Sequence, residues 1–123
     1  MAVNLFRVVT IDVEGNVEVQ DWDVEAGDTV TKRLQAGVGG WFDVVALSAS
    51  LDMWVNDEGS LIGLPVNRVA TGVARRFGKR DKPYWGPVVF TGGADAEGHT
   101  LPLSDLMVNA VVYHARAVMA ASV

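Results

Sequence analysis

Few residues in this chain have the chemistry for catalysis. There are two histidines and no cysteine, which removes disulfides, thiolate nucleophiles and zinc–thiolate sites. His99 ends the glycine-rich acidic run Gly92-Gly93-Ala94-Asp95-Ala96-Glu97-Gly98-His99, where exposed polarity is the ordinary role of an imidazole. His114 falls inside an apolar helical pattern and reads as a satisfied buried or interfacial side chain. H-E-x-x-H, G-x-S-x-G and a dinucleotide-type glycine pattern after a strand are all missing. Asp57 and Glu58 are neighbours in a turn, where water keeps both ionised, whereas a general acid needs a raised pKa. Asn56-Asp57-Glu58-Gly59 lacks the alternating acids and distal glutamate of a calcium loop. The run from Gly92 lacks the lysine of a phosphate loop. The expectation is a non-enzymatic protein with no catalytic residues, no metal and no cofactor.

Residues suited to recognition are more plentiful. Polar groups set against tryptophan concentrate in two segments, Val38 to Gly59 and Leu64 to Arg68. They suggest a ligand site built from Gly39, Gly40, Trp54, Asn56, Asn67 and Arg68. The glycines would allow close backbone approach, and the amides and guanidinium would hold a small anion. The competing account gives both asparagines to turn and helix-end backbone groups. A partner surface is suggested by Trp41, Tyr84 and Trp85 with Arg75 and Arg76, since aromatic and arginine side chains anchor interfaces. Core packing is the plain alternative for each aromatic.

Charge is unevenly placed. Asp12, Glu14, Glu18, Asp21, Asp23, Glu25 and Asp28 share a stretch without lysine or arginine, while Arg75, Arg76, Lys79, Arg80 and Lys82 crowd together near Tyr84 and Trp85. Basic residues beside aromatics suit phosphate and bases. A net charge of −5 opposes attraction to polyanions, so nucleic acid is not the expected partner.

The elements that must position these residues follow from local pattern. Asn4–Asp12 and Val17–Gln20 read as strands joined by the turn Glu14-Gly15-Asn16, with Trp22 closing the hairpin. Asp28 is expected to cap a helix from Thr29 to Ala36 that Gly37 ends. A central hairpin follows, with Phe42, Val44 and Ala46 on one face of its first strand. In the second strand Met53 and Trp54 point to opposite faces. Pro65 precedes a second helix, whose apolar stripe runs from Val66 through Val69, Ala70 and Val73 to Phe77 before Gly78 stops it. Trp85–Thr91 reads as an inner strand. Ser104 caps a last helix, to about Ala120, that is apolar almost all round. Such a helix is either sandwiched within its own domain or covered by another subunit, and a homo-oligomer through residues 103–120 is the expectation. The order β-β-α-β-β-α-β-α predicts an α+β domain over residues 1–123, an antiparallel or mixed sheet of about five strands with three helices.

At 123 residues and half hydrophobic, the chain can bury one core. No apolar run is long enough to span a bilayer and the N-terminus does not resemble a signal peptide, so the expected setting is cytoplasmic. The ordered segments Leu34-Gln35 to Trp41, Met53 to Gly59, Gly63 to Thr71 and Gly86 to Phe90 together resemble the phage and actinobacterial family known as domain of unknown function 3846, over roughly residues 6 to 105. Pro87 departs from the polar residue expected after the glycine, which leaves the start of that strand open. The family has no assigned activity. The resemblance implies a small phage-type accessory protein, a binding module that occupies a protein surface of the bacterial host. The alternative is sequestration of a small, nucleotide-like anion near a subunit boundary, as in antagonism of host defence.

Overall fold

The four residues Val88-Val89-Phe90-Thr91 are apolar or β-branched without interruption, the pattern of a strand buried on both faces. The computed structural model, which describes residues 5–24 and 29–121, buries all four. The elements run β1 (Leu5–Ile11), β2 (Val17–Asp23), α1 (Val30–Val38), β3 (Phe42–Ser48), β4 (Leu51–Asn56), α2 (Arg68–Arg76), β5 (Val88–Thr91) and α3 (Asp105–Ala121). They build the α+β domain expected from the sequence. The sheet order is β2-β1-β5-β4-β3, every neighbour antiparallel, so the last strand in sequence joins two hairpins made earlier.

Alternation along the strands divides the core in two. Val9, Ile11, Leu51, Met53, Val55, Val88 and Phe90 face α2 and α3. Phe6, Val8, Trp22 and Val89 face α1, where they meet Leu34 and Val38, with Phe42 and Trp54 at the margin. Met53 and Trp54 thus point to opposite faces, as their adjacency in a strand requires. The first hairpin turns at Gly15, whose φ of 89° suits glycine. Asp12 braces that turn by accepting from the amides of Glu14 and Asn16, both at 2.9 Å. At the other end Trp22 stacks on its cross-strand partner Phe6 with ring centroids 6.4 Å apart.

Strand β2 runs on to Asp23, and α2 starts at Arg68, leaving Val66 outside the helix. The ends of α1 and the start of β5 differ from expectation for physical reasons. Helix α1 runs through Gly37 and ends at Gly39, which has a φ of 79° and donates to Gln35 O at 2.9 Å. Gly37 instead lets the helix approach the sheet, for a β-carbon there would lie 2.8 Å from Val89 Cγ2. The expected cap Asp28 lies outside the described residues; the N-cap is Thr29, whose hydroxyl accepts from Lys32 N at 3.3 Å. Strand β5 begins at Val88 rather than Trp85. Pro87 has no amide hydrogen for a ladder and Gly86, at a φ of 80°, turns the chain. Trp85 makes an isolated bridge to Val66 instead.

Helix α3 starts at the Ser104 cap, whose Oγ accepts from Met107 N at 3.2 Å. Its apolar circumference divides into a stripe on the sheet, Val108, Val111 and Ala115, and a second against α2. There Phe77 meets His114 edge-to-face at 5.1 Å, and a β-carbon on Gly72 would come within 2.5 Å of Val118 Cγ1. Leu106 (76% exposed) and Tyr113 (65%) remain outside. Gly72 is therefore a packing residue, placed where α3 crosses α2. Alanine would add about 1 kcal/mol of helix propensity, but overpacking costs about 1–3 kcal/mol. Gly72→Ala is expected to destabilise the protein in urea titration, and in a Val118→Ala background the same substitution is expected to become neutral or stabilising.

Candidate functional site

The residues predicted to form a ligand site separate in space. Gly39 and Gly40 form the exit of α1, both amides donating to Gln35 O. Asn56 sits beside them, with its Nδ2 3.2 Å from where a β-carbon on Gly40 would be. Its amide is engaged at both ends: Nδ2 donates to Val38 O at 3.1 Å and Oδ1 accepts from Glu58 N at 2.9 Å. Asn56 thus stitches the end of α1 to the turn after β4.

Asn67 is the N-cap of α2, its Oδ1 accepting from Ala70 N at 3.0 Å. Its Nδ2 donates to Ile11 O at 2.9 Å and to Gly86 O at 3.0 Å. One fully buried amide therefore ties together the end of β1, the lead-in to β5 and the start of α2. Arg68 is exposed on the first turn of α2. Asn56 is bonded to α1 on one face of the sheet, while Arg68 opens a helix on the other. The expected convergence of these two residues on one hollow is not what the geometry gives. Trp54 belongs to neither place and lies over the α1 face.

The aromatic set divides as well. Tyr84 is a core residue, and burial together with nearby Asp81 pushes its phenol pKa up. The ammonium of Lys82 rests 5.7 Å above its ring. Trp85 is half-buried, and Trp41 is 70% exposed immediately before β3. Arg75 and Arg76 form the last turn of α2, where Arg76 Nε donates to His114 Nδ1 at 2.8 Å.

At the open end of the β3–β4 hairpin, a cavity of about 130 Å³ is lined by Asp43, Asn56, Asp57, Lys82, Tyr84 and Trp85, among others. The turn that follows carries Leu61 (87% exposed) and Ile62 (56%) into solvent. Its first residue, Asp57, donates its backbone amide to Trp41 O at 3.1 Å. A second hollow of about 420 Å³ lies between the start of α1, Phe42 and Trp54, and the Gly98–Thr100 loop. A third of about 400 Å³ separates β2 from α1 and is lined by Asp12, Glu18 and Arg33 among others.

Sequence reasoning passed over Leu61, Ile62, Asp43 and Phe42 as site residues. The apolar pair between Gly59 and Gly63 was the available signal, since a turn gives two large aliphatic side chains nothing to pack against. Among the described residues no group of three or more His, Asp or Glu side chains is placed to hold a metal ion. No helix among them is long and apolar enough to cross a membrane.

These features define a small α+β domain: a five-stranded antiparallel sheet with helices on both faces and its hollows at the helix and hairpin ends. The chain belongs to the family described as domain of unknown function 3846, which matches residues 6–115. The match extends into α3, further than the four sequence segments alone suggested. No curated protein and no solved structure matches the chain.

Two predictions test the structural roles of residues that looked functional. Asn67→Asp keeps the cap acceptor, removes both amide donors and sets a charge beside two buried carbonyl oxygens. It is expected to destabilise by about 3 kcal/mol or more, well beyond the ~1 kcal/mol of a lost cap; a near-neutral effect in chemical denaturation would remove the amide from its clamping role. His114 has its pKa lowered by burial and by Arg76, so the folded state favours the neutral ring. Stability from this group is present above the ordinary histidine value of 6.5 and lost as pH falls through the lowered folded value. The melting temperature is expected to fall on acidification below about pH 6.5, and His114→Gln is expected to flatten that slope.

Proposed function

We propose that this protein is a binding module without catalytic chemistry that occupies a protein surface through the open end of the β3–β4 hairpin. The observation that carries the reading is the exposure of Trp41, Leu61 and Ile62 on the segments that flank a hollow lined by Trp85: Trp41 O accepts from Asp57 N, and Leu61 and Ile62 directly follow the lining residues Gly59 and Ser60. Large apolar side chains left in water around a concave centre are the usual form of a docking surface. At about 130 Å³ the hollow falls well below the roughly 300–1,000 Å³ of small-molecule pockets. It suits a single inserted side chain. Asp43 and Asp57 line it and Glu58 follows, against one ammonium from Lys82, so a lysine or arginine flanked by apolar residues is the complementary partner feature. The setting implied by the family resemblance is a phage-type accessory protein in the bacterial cytoplasm, which makes a host protein the partner.

Capture of a nucleotide-like anion by Asn56, Asn67 and Arg68 has less support, because both amides are engaged with backbone groups. Self-association through α3 draws support from Leu106 and Tyr113, seven residues apart and so on one helical face.

Affinity capture with purified protein from host lysate tests the main reading when run beside variants. Wild type is expected to retain a stoichiometric partner; Trp41→Ala and Asp57→Lys are expected to weaken it at least tenfold, while Arg75→Ala has little effect. No stoichiometric partner, or one retained equally by Trp41→Ala, would remove this face from consideration.

A further inference from the structure

We infer a second, separate site: the hollow beside Trp54 is built to take an uncharged, planar, two-ring heterocycle of the purine class. Its wall is aromatic and held in place. Trp54 and Phe42 meet at 90° with centroids 5.1 Å apart, and Trp54 Nε1 donates to Thr91 Oγ1 at 2.8 Å, which fixes the indole plane. Thr91 Oγ1 in turn donates to Gly92 O at 2.9 Å, so the anchor is itself buried and satisfied. Val30 and Leu34 supply aliphatic surface from α1. A pre-oriented aromatic wall of this kind binds a flat ring at little conformational cost.

The rim sets the chemical class. Thr29, Thr31 and Thr100 contribute hydroxyls and His99 an imidazole to the lining, and among the described residues no lysine, arginine, aspartate or glutamate lines the hollow. Behind the imidazole, carboxylates of Asp95 and Glu97 each lie 3.6 Å from His99 Nδ1. His99 is held on a braced turn: Asp95 Oδ1 accepts from the amides of Glu97 and His99, both at 2.9 Å, and Ala94 bridges Thr100. An anionic ligand would lose hydration and meet the nearby carboxylates of Asp95 and Glu97 in place of a lining cation. A heterocycle with donors and acceptors on its edge meets hydroxyl and imidazole groups that match it. At about 420 Å³ the space falls within the range of small-molecule pockets. The hollow of similar size between β2 and α1 has Asp12, Glu18 and Arg33 in its lining and no paired aromatic wall. The site shares no residue with the hairpin-end docking face, so either proposal can fail alone.

Calorimetric titration of the purified protein with adenine, adenosine monophosphate and N-acetyltryptophanamide tests the inference. Adenine is expected to bind saturably and the monophosphate no more tightly. Trp54→Leu is expected to weaken adenine at least tenfold, as loss of a stacking platform does. Thr31→Phe, an exposed rim change that fills the opening and leaves the core alone, is expected to abolish binding with the melting temperature kept; it decides the matter if Trp54→Leu does not fold. The inference is overturned if adenine does not saturate, or if Thr31→Phe binds it as wild type does. A monophosphate more than tenfold tighter than adenine would mean a phosphate site, and N-acetyltryptophanamide tighter than adenine a peptide site; either also overturns it.

Discussion

The constraint on which this structure depends is that β5, four residues long, must lie between two hairpins that precede it in the chain. The β1–β2 and β3–β4 ribbons each present an edge of unpaired amides and carbonyls, and β5 satisfies both. It is buried on both faces, with Val88 and Phe90 towards α2 and α3 and Val89 towards α1. A strand in that position allows no polar side chain beyond one that finds its own partner, as Thr91 does with Gly92 O. The chain reaches β5 by way of α2, and Asn67 holds that approach by bonding simultaneously to β1, to Gly86 and to α2. The long-range pairing that joins the sheet is thus braced by one side chain with three hydrogen bonds.

Much of the fold was readable from residue pattern because its elements obey local rules. Alternation in β4 separates Met53 from Trp54, the apolar run at Val88 marks an inner strand, and Asn67 and Ser104 stand where caps are needed. The misread positions are those where tertiary contact overrides local preference. Gly37 looks like a helix stop, yet it permits contact with Val89, and Gly39 makes the left-handed turn two residues later. The apolar character of α3 left two uses open from sequence, burial within the domain and contact with another subunit, and two of its stripes are used within the domain, on the sheet and on α2.

The site residues were less readable for a related reason. Asparagine, glycine and arginine near tryptophan make an attractive ligand set, but an amide is equally good at satisfying backbone groups, and burial decides between the two uses. Asn56 and Asn67 are both buried and both bonded to carbonyls and amides of the main chain. Trp54 and Trp41 come from the same hairpin but face different surroundings: one is fixed by Thr91 over the α1 face, and the other stands free before β3. A count of aromatics in sequence has no means of separating a wall from an anchor.

The electrostatic character of the hollows gives each a different capacity. The hollow at the end of the β3–β4 hairpin mixes two carboxylates with one ammonium in a small volume, which favours a cationic side chain over any free ligand. The hollow beside β2 carries both signs of charge on groups already engaged with one another or with their own turn: Glu18 accepts from Gln20 Nε2 at 2.9 Å, and Asp12 is taken up by Asn16 and Glu14. An incoming ion there would have to displace existing bonds. The hollow beside Trp54 has no charged side chain in its described lining and an aromatic wall held by Thr91, so desolvation on binding there falls largely on apolar surface. Size would favour the last two hollows equally; what separates them is the charged side chains that line one and the aromatic wall that lines the other.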